Sequence, residues 1–196
     1  MVPPSLSNLW AGMLSATTPN RALSATATLG YGEAVIFDEA AAGRQFDVSA
    51  TATWKPTPSL RSEARWTHSR MTRAQDASWY STANIPRLKI EYQLSRSVFV
   101  RYVGQYTAQR RAALRDPTTG RPLVLDAATE QRIGPAAGAT VADFRNDFLF
   151  SYKPTPGTVF FLGYGASLTE RTPLDFSGLT RAGDGFFLKG SYLFRM

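Results

Sequence analysis

The chain has 196 residues, of which 43% are hydrophobic and 12% aromatic, so its composition excludes a disordered tail. It has no cysteine, which excludes a disulfide scaffold and a metal site built on thiolates. Its formal net charge is +7, but the basic residues are spread along the sequence without a basic run interleaved with aromatics, so we expect no nucleic-acid partner.

The first part of the sequence carries little structural signal. Residues 1–20 contain three prolines and scattered Ser and Thr, so we expect a linker or the end of a missing upstream part. They lack the positive region and the apolar region of a secretory signal. No stretch of the sequence approaches the roughly 18 consecutive apolar residues of a membrane helix. We expect residues 21–196 to form one β-domain.

From residue 21 onward, apolar and polar residues alternate with a period of two. This pattern predicts strands, because successive side chains of a strand point to opposite faces. The alternating segments are Arg21–Gly32, Arg44–Trp54, Ser59–Arg70, Ser78–Leu94, Ser97–Gln109, Val141–Tyr152, Thr158–Glu170 and Gly185–Met196. The segments are about ten residues long, which is the length that crosses a bilayer as a tilted β-strand.

Short and long connections alternate between these segments. Tight turns are predicted at Lys55–Pro58, Ser95–Arg96 and Lys153–Pro156, in two of which proline pre-sets turn geometry and cannot donate to a ladder. Longer loops are predicted at Glu33–Gly43, Met71–Ala77, Arg110–Thr140 and Arg171–Gly183. Short turns at one end of the strands and long loops at the other are typical of an outer-membrane β-barrel.

The charged residues of the strands fall on the face opposite to the aliphatic and aromatic residues. A charge that faces lipid at mid-membrane costs about 2–4 kcal/mol, so we expect the charges to face a lumen. Both signs are present, which predicts a paired network. The expected lumen residues are Asp47, Arg61, Glu63, Arg65, Arg87, Lys89, Glu91, Arg101, Arg145, Asp147 and Lys189.

Aromatic residues cluster near the strand ends on the apolar face, as in the two interfacial girdles of a membrane barrel. Toward the short turns lie Trp54, Tyr92, Tyr152, Tyr192 and Phe194. Toward the long loops lie Tyr31, Trp66, Tyr106 and Tyr164. The sequence therefore predicts an all-β fold: an antiparallel up-and-down transmembrane β-barrel with about eight strands in this chain, alone or within a larger barrel.

Several segments also carry a likeness to a known family: Ile85–Arg96, Phe99–Tyr102, Tyr152–Pro156 before Phe160–Tyr164, and Asp184–Arg195. From about Arg21 onward, the chain resembles the C-terminal region of an outer-membrane barrel family of unknown function. Members of that family carry an N-terminal carbohydrate-binding module of the family-nine type. The resemblance implies outer-membrane lipid, the barrel insertion machinery and an upstream carbohydrate-binding part as partners. It also implies a link to glycan handling.

The chain departs from that family's pattern at its two ends. The carbohydrate-binding module and an export signal are not in this sequence, so the resemblance assigns no sugar site here. The last residues are Phe194, Arg195 and Met196, whereas barrels of this kind commonly end on an aromatic residue that the insertion machinery recognises. We therefore expect the chain to be a barrel, or the barrel segment of a longer protein.

The residue pattern predicts no enzyme. His68 is the only histidine, and Glu63, the nearest carboxylate on its strand, lies an odd number of residues away and thus on the opposite face. Glu63 and Glu91 as a hydrolytic carboxylate pair are a weaker explanation than salt bridges to neighbouring basic residues. We expect no cofactor and no metal, since Asp116–Gly120 and Asp175–Asp184 lack the regular acidic spacing of a calcium loop.

The first hypothesis is a non-enzymatic outer-membrane barrel of a Gram-negative-type cell, with a transport, pore or anchoring role. The alternative is a soluble β-sandwich or small barrel that binds a ligand and buries its apolar face as a core. Phe46, Tyr152 and Tyr192 discriminate between the two. In the soluble protein these side chains would pack in a dry centre, and in the membrane protein they would face outward.

Overall fold

A computed structural model describes residues 9–18, 20, 22–122 and 137–193. These residues form one nine-stranded sheet, in which every neighbouring pair of strands is antiparallel. The strands are β1 Ala11–Thr18, β2 Leu23–Ile36, β3 Ala41–Thr57, β4 Leu60–Arg73, β5 Trp79–Gln93, β6 Val98–Arg111, β7 Ala139–Tyr152, β8 Thr158–Thr169 and β9 Thr180–Tyr192. Each strand pairs with the next in the chain, which confirms the all-β, antiparallel, up-and-down architecture.

The sheet is open rather than closed into a barrel. Within the described residues, β1 pairs with β2 alone and β9 with β8 alone, so both outer strands present a free backbone edge. Every residue of these two strands is exposed. No second sheet packs on the first in the part of the chain that is described. The prediction of a closed barrel is therefore wrong for the described residues, which form a single layer with two edges, and this layer has nine strands rather than the eight predicted.

Strand β1 lies within residues 1–20, where we expected a linker. Its own pattern is weak, because Leu14 and Ala16 on one side alternate with Met13 and Ser15 on the other. It pairs with β2 without a break from Ala11 to Thr18. The neighbouring strand, rather than local alternation, thus places β1 in the sheet.

The connection between β2 and β3 is much shorter than the predicted loop Glu33–Gly43. The ladder continues to the pair Ile36–Ala41, and a single 3-10 turn, Phe37–Glu39, joins the two strands. Ala40 ends this turn in the left-handed region, with φ 49°. The alternation fades here because the run from Ala34 to Ile36 is apolar on both sides, although the strand itself continues.

Other strands also run beyond their predicted ends. Strand β3 passes through Lys55 and Pro56 by way of a bulge, so the tight turn lies at Pro58 and Ser59. Strand β4 reaches Arg73, and β9 begins at Thr180. Long connections follow β6 and β8, as predicted. The four residues after β2 and the five after β4 are no longer than the five between β7 and β8, so the predicted rhythm of short turns and longer loops fails at these two connections.

The pairing register places most of the apolar residues of the nine strands on one side of the sheet, whereas Leu149, Phe161 and Phe187 lie on the other side with the charged residues. Ala25 lies opposite Ala52, Trp66 opposite Pro86, and Phe148 opposite Tyr164. Because side chains alternate along a strand, each such pair fixes the faces of both strands. We call this side the apolar face and the other the polar face.

Two small buried clusters lie at the end of the sheet that carries the connections after β2, β4, β6 and β8. On the polar face, Ile36, Ala41, Tyr80 and Leu114 pack together. On the apolar face, the buried residues are Tyr106, Ala108 and Ala142, with Phe144 against them. We call this end the loop end and the opposite end the turn end.

Candidate functional site

The polar face brings together all eleven charged residues that we expected to line a lumen. They lie on strands β3 to β7 and on β9, and the register places every one of them on the same side of the sheet. They are Asp47, Arg61, Glu63, Arg65, Arg87, Lys89, Glu91, Arg101, Arg145, Asp147 and Lys189. Seven are cations and four are carboxylates, so this face is basic.

Part of this set forms an ion-pair network across β4 and β5. Lys89 Nζ lies 3.5 Å from Glu91 Oε2 and 4.0 Å from Glu63 Oε2, and Arg61 Nη2 lies 3.6 Å from Glu63 Oε2. The ends of the three charged side chains around Lys89 are only about a quarter exposed. Each glutamate is therefore held by a cation, which is the arrangement of a salt-bridge network rather than of a hydrolytic carboxylate pair.

Fewer of the remaining charged residues of this face have a partner of opposite charge. Asp47 accepts hydrogen bonds of 2.9 and 3.0 Å from the amide of Gln45. Arg145 lies 3.7 Å from Asp143, with its own side chain 72% exposed. Within the described residues, Arg65, Arg87 and Arg101 have no carboxylate within ion-pair distance.

On the apolar face, the aromatic residues near the turn end form an oblique line. Trp54 is opposite Ser62, whereas Tyr92 is opposite Leu60, two residues nearer the turn end. The same step recurs from Tyr92 to Tyr152, and again from Tyr152 to Tyr192. Their exposed fractions are 52%, 44%, 42% and 63% in chain order. Phe194, the fifth residue predicted for this girdle, lies outside the described residues.

The aromatic residues toward the loop end follow a line that drifts in the same direction. Tyr31 is opposite Phe46, which is opposite Arg70, and Trp66 lies four residues nearer the turn end than Arg70. Tyr106 is opposite Phe144, which is opposite Leu168, and Tyr164 lies four residues nearer the turn end than Leu168. The two lines are eight residues apart on β3 and β7, or about 27 Å along a strand, and about five or six residues apart on β4, β5 and β8.

No charged side chain lies on the apolar face between these two aromatic lines in the described strands. Arg70 and Asp184 are on this face, but they lie outside this region, between the loop-end aromatic line and the loop end of the sheet. Asp184 accepts a hydrogen bond of 3.0 Å from Tyr164, the last aromatic of that line. The apolar face therefore contains an uncharged band with aromatic borders. We call it the belt.

Large side chains of the belt are uncovered. Phe46 is 40% exposed, Tyr152 42% and Tyr192 63%, so these residues do not form a dry centre. The exception is Tyr106, which is 3% exposed because the loop after β8 folds over it. The ring of Phe176 from that loop packs on the Tyr106 ring in a tilted arrangement, with the ring centroids 5.0 Å apart. Glu170 accepts hydrogen bonds from the Tyr106 hydroxyl and from the backbone N–H groups of Leu174 and Phe176.

His68 lies on the apolar face, opposite in direction to Glu63 as the alternation predicted. Its Nδ1 is 2.7 Å from Asn84 Oδ1, and its ring stacks against Trp66 at 5.9 Å. The described part of the chain shows no carboxylate bonded to this ring, so the His68 geometry supplies no charge-stabilised general base.

Sequence reasoning missed a buried ion pair on the polar face at the loop end. Arg73 donates through Nε to Glu39 Oε2 at 2.8 Å and through Nη2 to Glu39 Oε1 at 2.5 Å. The two side chains are 7% and 1% exposed. Hydrogen bonding to Glu39 raises the pKa of Arg73 above its ordinary value. Neither residue stands out in the sequence, because they are 34 positions apart and no strand periodicity links them.

This pair ties three connections of the loop end together. Arg73 also donates to the carbonyls of Trp79 and Ala113 at 3.0 Å. Glu39 accepts a further hydrogen bond of 2.8 Å from the backbone N–H of Arg115. The connections after β2, β4 and β6 thus meet at one carboxylate and one guanidinium, which satisfy each other away from water.

Beside this pair, Asp38 joins two further strands. It accepts hydrogen bonds from the hydroxyl of Tyr80 at 3.0 Å and from Arg111 Nη1 at 2.6 Å. Burial raises the pKa of Tyr80 to about 12, and the hydrogen bond to Asp38 acts in the same direction. Tyr80 lies at the start of β5, nearer the loop end than the strand residues that form the belt.

The described residues contain no cluster of three or more His, Asp or Glu side chains that is placed to hold a metal ion. Among those same residues, no helix is long and apolar enough to span a membrane. No family model, curated protein or solved structure matches the chain. The family resemblance, with its carbohydrate-binding part and its glycan link, therefore stays a prediction.

We expect Arg73→Met to destabilise the fold by about 3–5 kcal/mol, because it leaves the buried Glu39 carboxylate without its charge partner. Urea unfolding followed by tryptophan fluorescence measures the change. The matched control is Arg115→Met, which removes a cation from the same region but breaks only an exposed pair with Asp76 at 3.5 Å. If the two variants lost the same free energy of unfolding, the buried pair would contribute no more to stability than the exposed pair does.

Tyr80 makes the stability depend on pH in the alkaline range. The unfolded phenol ionises near pH 10 and the folded one near pH 12, so the stabilisation is intact below about pH 10 and lost as the pH rises toward about 12. We expect Tyr80→Phe to flatten that decline and to remove a late-titrating tyrosinate from the absorbance titration near 295 nm. An unchanged titration curve in the variant would contradict the assignment.

Proposed function

We propose that this chain is a non-enzymatic outer-membrane β-barrel protein, or the barrel segment of a longer one, with a transport, pore or anchoring role. The observation that carries the proposal is the belt: an uncharged band across the sheet, bordered by two aromatic lines and left uncovered over most of its area. An apolar surface of this extent needs a covering, because large exposed apolar patches mark interaction surfaces.

The dimensions of the belt fit a bilayer. Counted with both border residues, the belt spans nine residues in Phe46–Trp54 and Phe144–Tyr152, against 9–11 residues for a tilted transmembrane strand, and it is narrower by at least two residues on β4, β5 and β8. The parallel drift of the two aromatic lines fits strands that tilt relative to a membrane plane, since tilt and stagger are coupled in barrels. Trp and Tyr at the two borders suit the interfacial regions of a membrane.

The polar face supports the complementary half of the proposal. Its eleven predicted charges all lie opposite the belt, where a water-filled lumen would solvate them. The ion pairs around Lys89 and the buried Glu39–Arg73 pair would line such a lumen, the second at its loop end.

The parity of the strands constrains how such a barrel closes. In an up-and-down sheet of nine strands, β1 and β9 run in the same direction. Direct pairing of these edges would be parallel, whereas bacterial single-chain barrels are antiparallel throughout and have even strand numbers. If two copies with the same membrane orientation joined edge to edge, β9 of one copy would pair with β1 of the other, and this pairing would also be parallel. We infer that closure takes an odd number of further strands.

To test the membrane assignment, we compare Leu162→Arg with Phe161→Arg. These adjacent residues lie on opposite faces of β8, so the two variants place the same charge on opposite sides of the sheet, and the polar-face arginine would lie opposite Lys189. In lipid vesicles, Leu162→Arg should lose about 2–4 kcal/mol of folding free energy by urea titration. Phe161→Arg should lose less than about 1 kcal/mol, because water solvates a charge on the polar face and the cost is limited to the like-charge contact with Lys189.

Two results would contradict the membrane assignment. One is an equal cost for the two arginine variants in vesicles. The other is a wild-type chain that stays folded and monomeric in buffer without detergent, which would favour the soluble ligand-binding alternative.

The inference about closure is tested with disulfides, since the chain has no cysteine of its own. We expect no disulfide within one molecule when cysteine pairs scan the facing edges, for example Ser15→Cys with Ser191→Cys. The positive control is Ser15→Cys with Thr28→Cys, whose hydroxyls lie 3.3 Å apart across β1 and β2. A β1–β9 disulfide within one molecule would show that nine strands close on themselves.

A further inference from the structure

One row of the polar face is built from hydrogen-bond donors. Reading directly across the sheet from β1 to β8, the paired residues are Thr17, Thr26, Thr51, Arg65, Arg87, Gln105, Arg145 and Ser167. Every one of these side chains carries an N–H or O–H donor, and none is a carboxylate. We call this row the donor row.

The centre of the donor row breaks the charge matching seen beside it. On the same two strands, Glu63 is opposite Lys89 and Arg61 is opposite Glu91, so the neighbouring rungs pair opposite charges. Arg65 is directly opposite Arg87. Like charges directly opposite on neighbouring strands destabilise a sheet. The described residues place no carboxylate within ion-pair distance of either arginine.

Space for a ligand adjoins this arginine pair. A groove of about 660 Å³ on the polar face is lined by Arg87, Lys89 and Arg101 together with Asp147. Its wall across β8 and β9 includes Gly165 and Gly185, which have no side chain to fill it. Three cations and one carboxylate give the groove a positive balance. Two strands further along the row, Arg145 lies 3.7 Å from Asp143, which is its one ion-pair partner within the described residues.

We propose that the donor row is an anion-binding site, with an oxyanion group of the ligand held between Arg65 and Arg87. Neighbouring strands lie about 4.8 Å apart, so two guanidinium groups on adjacent strands can both donate to one carboxylate, phosphate or sulfate group. The groove lined by Arg87 and Arg101 holds the rest of an anionic solute. The bound oxyanion removes the repulsion within the arginine pair.

This site deepens the proposed function, because on a lumen-facing sheet it would select acidic solutes. Binding itself depends only on the polar face. Failure of the anion site would therefore leave the belt and the membrane assignment unaffected, and the vesicle comparison of Leu162→Arg with Phe161→Arg tests those separately.

The test is thermal unfolding of the full chain, folded in detergent micelles, with inorganic phosphate, sulfate or acetate titrated at constant ionic strength against chloride. We expect at least one of the three oxyanions to raise the Tm of the wild type. Whether phosphate and sulfate or acetate acts more strongly identifies the oxyanion class. Arg65→Gln and Arg87→Gln should each bind the anion roughly tenfold more weakly, through the loss of a charge-assisted hydrogen bond.

Arg61→Gln is the matched control, since it removes the same charge from the same face of the same strand but lies outside the donor row, beside Glu63. It should keep the wild-type response. In chloride alone, Arg65→Gln should be at least as stable as the wild type, because the like-charge pair is gone. A wild type that no oxyanion stabilises, or equal losses in all three variants, would overturn the proposal.

Discussion

The antiparallel backbone ladder is the interaction on which the two-faced sheet depends. Side chains alternate with a period of two, so a slip of one residue in any ladder would move that strand's apolar side chains to the other face. All eight ladders hold the register that keeps the belt on one side, from Thr17–Thr26 near one edge to Phe160–Gly190 near the other. The belt and the charged surface behind it are consequences of that shared register.

Two hydrogen-bonded clusters at the loop end of the sheet join residues of the connections to the strands. On the polar face, Glu39 and Arg73 join the connections after β2, β4 and β6. On the apolar face, Glu170 holds the loop after β8 across Tyr106. Each cluster uses one buried or half-buried carboxylate to satisfy several donors at once. A carboxylate with that many partners is costly to disturb, so Glu39 and Glu170 tie the described connection residues that they contact to the sheet.

A single layer of nine strands cannot bury both of its faces. The side chains of the polar face can be solvated by water, and some of them form ion pairs around Lys89 or belong to the donor row through Arg65 and Arg87. The apolar face gains little from packing within the sheet, and the Trp and Tyr side chains of its two aromatic lines, apart from the buried Tyr106, are 39–63% exposed. At roughly 25 cal/mol per Å² of apolar surface, its stability depends on whatever covers it. That dependence joins the belt, the free edges and the proposed membrane setting in one physical requirement.

The amino-acid sequence by itself determined the faces of β2 to β9, because alternation is a local property that each strand carries alone. It therefore placed Glu63, Lys89 and Glu91 together and put Phe46, Tyr152 and Tyr192 on the other side. Only the tertiary structure decided the contacts that need distant segments to meet. Strand β1 is placed by its partner, the Glu39–Arg73 pair spans 34 positions, and Arg65 faces Arg87 through the register of two strands. Open edges likewise follow from pairing between strands, which no local pattern encodes.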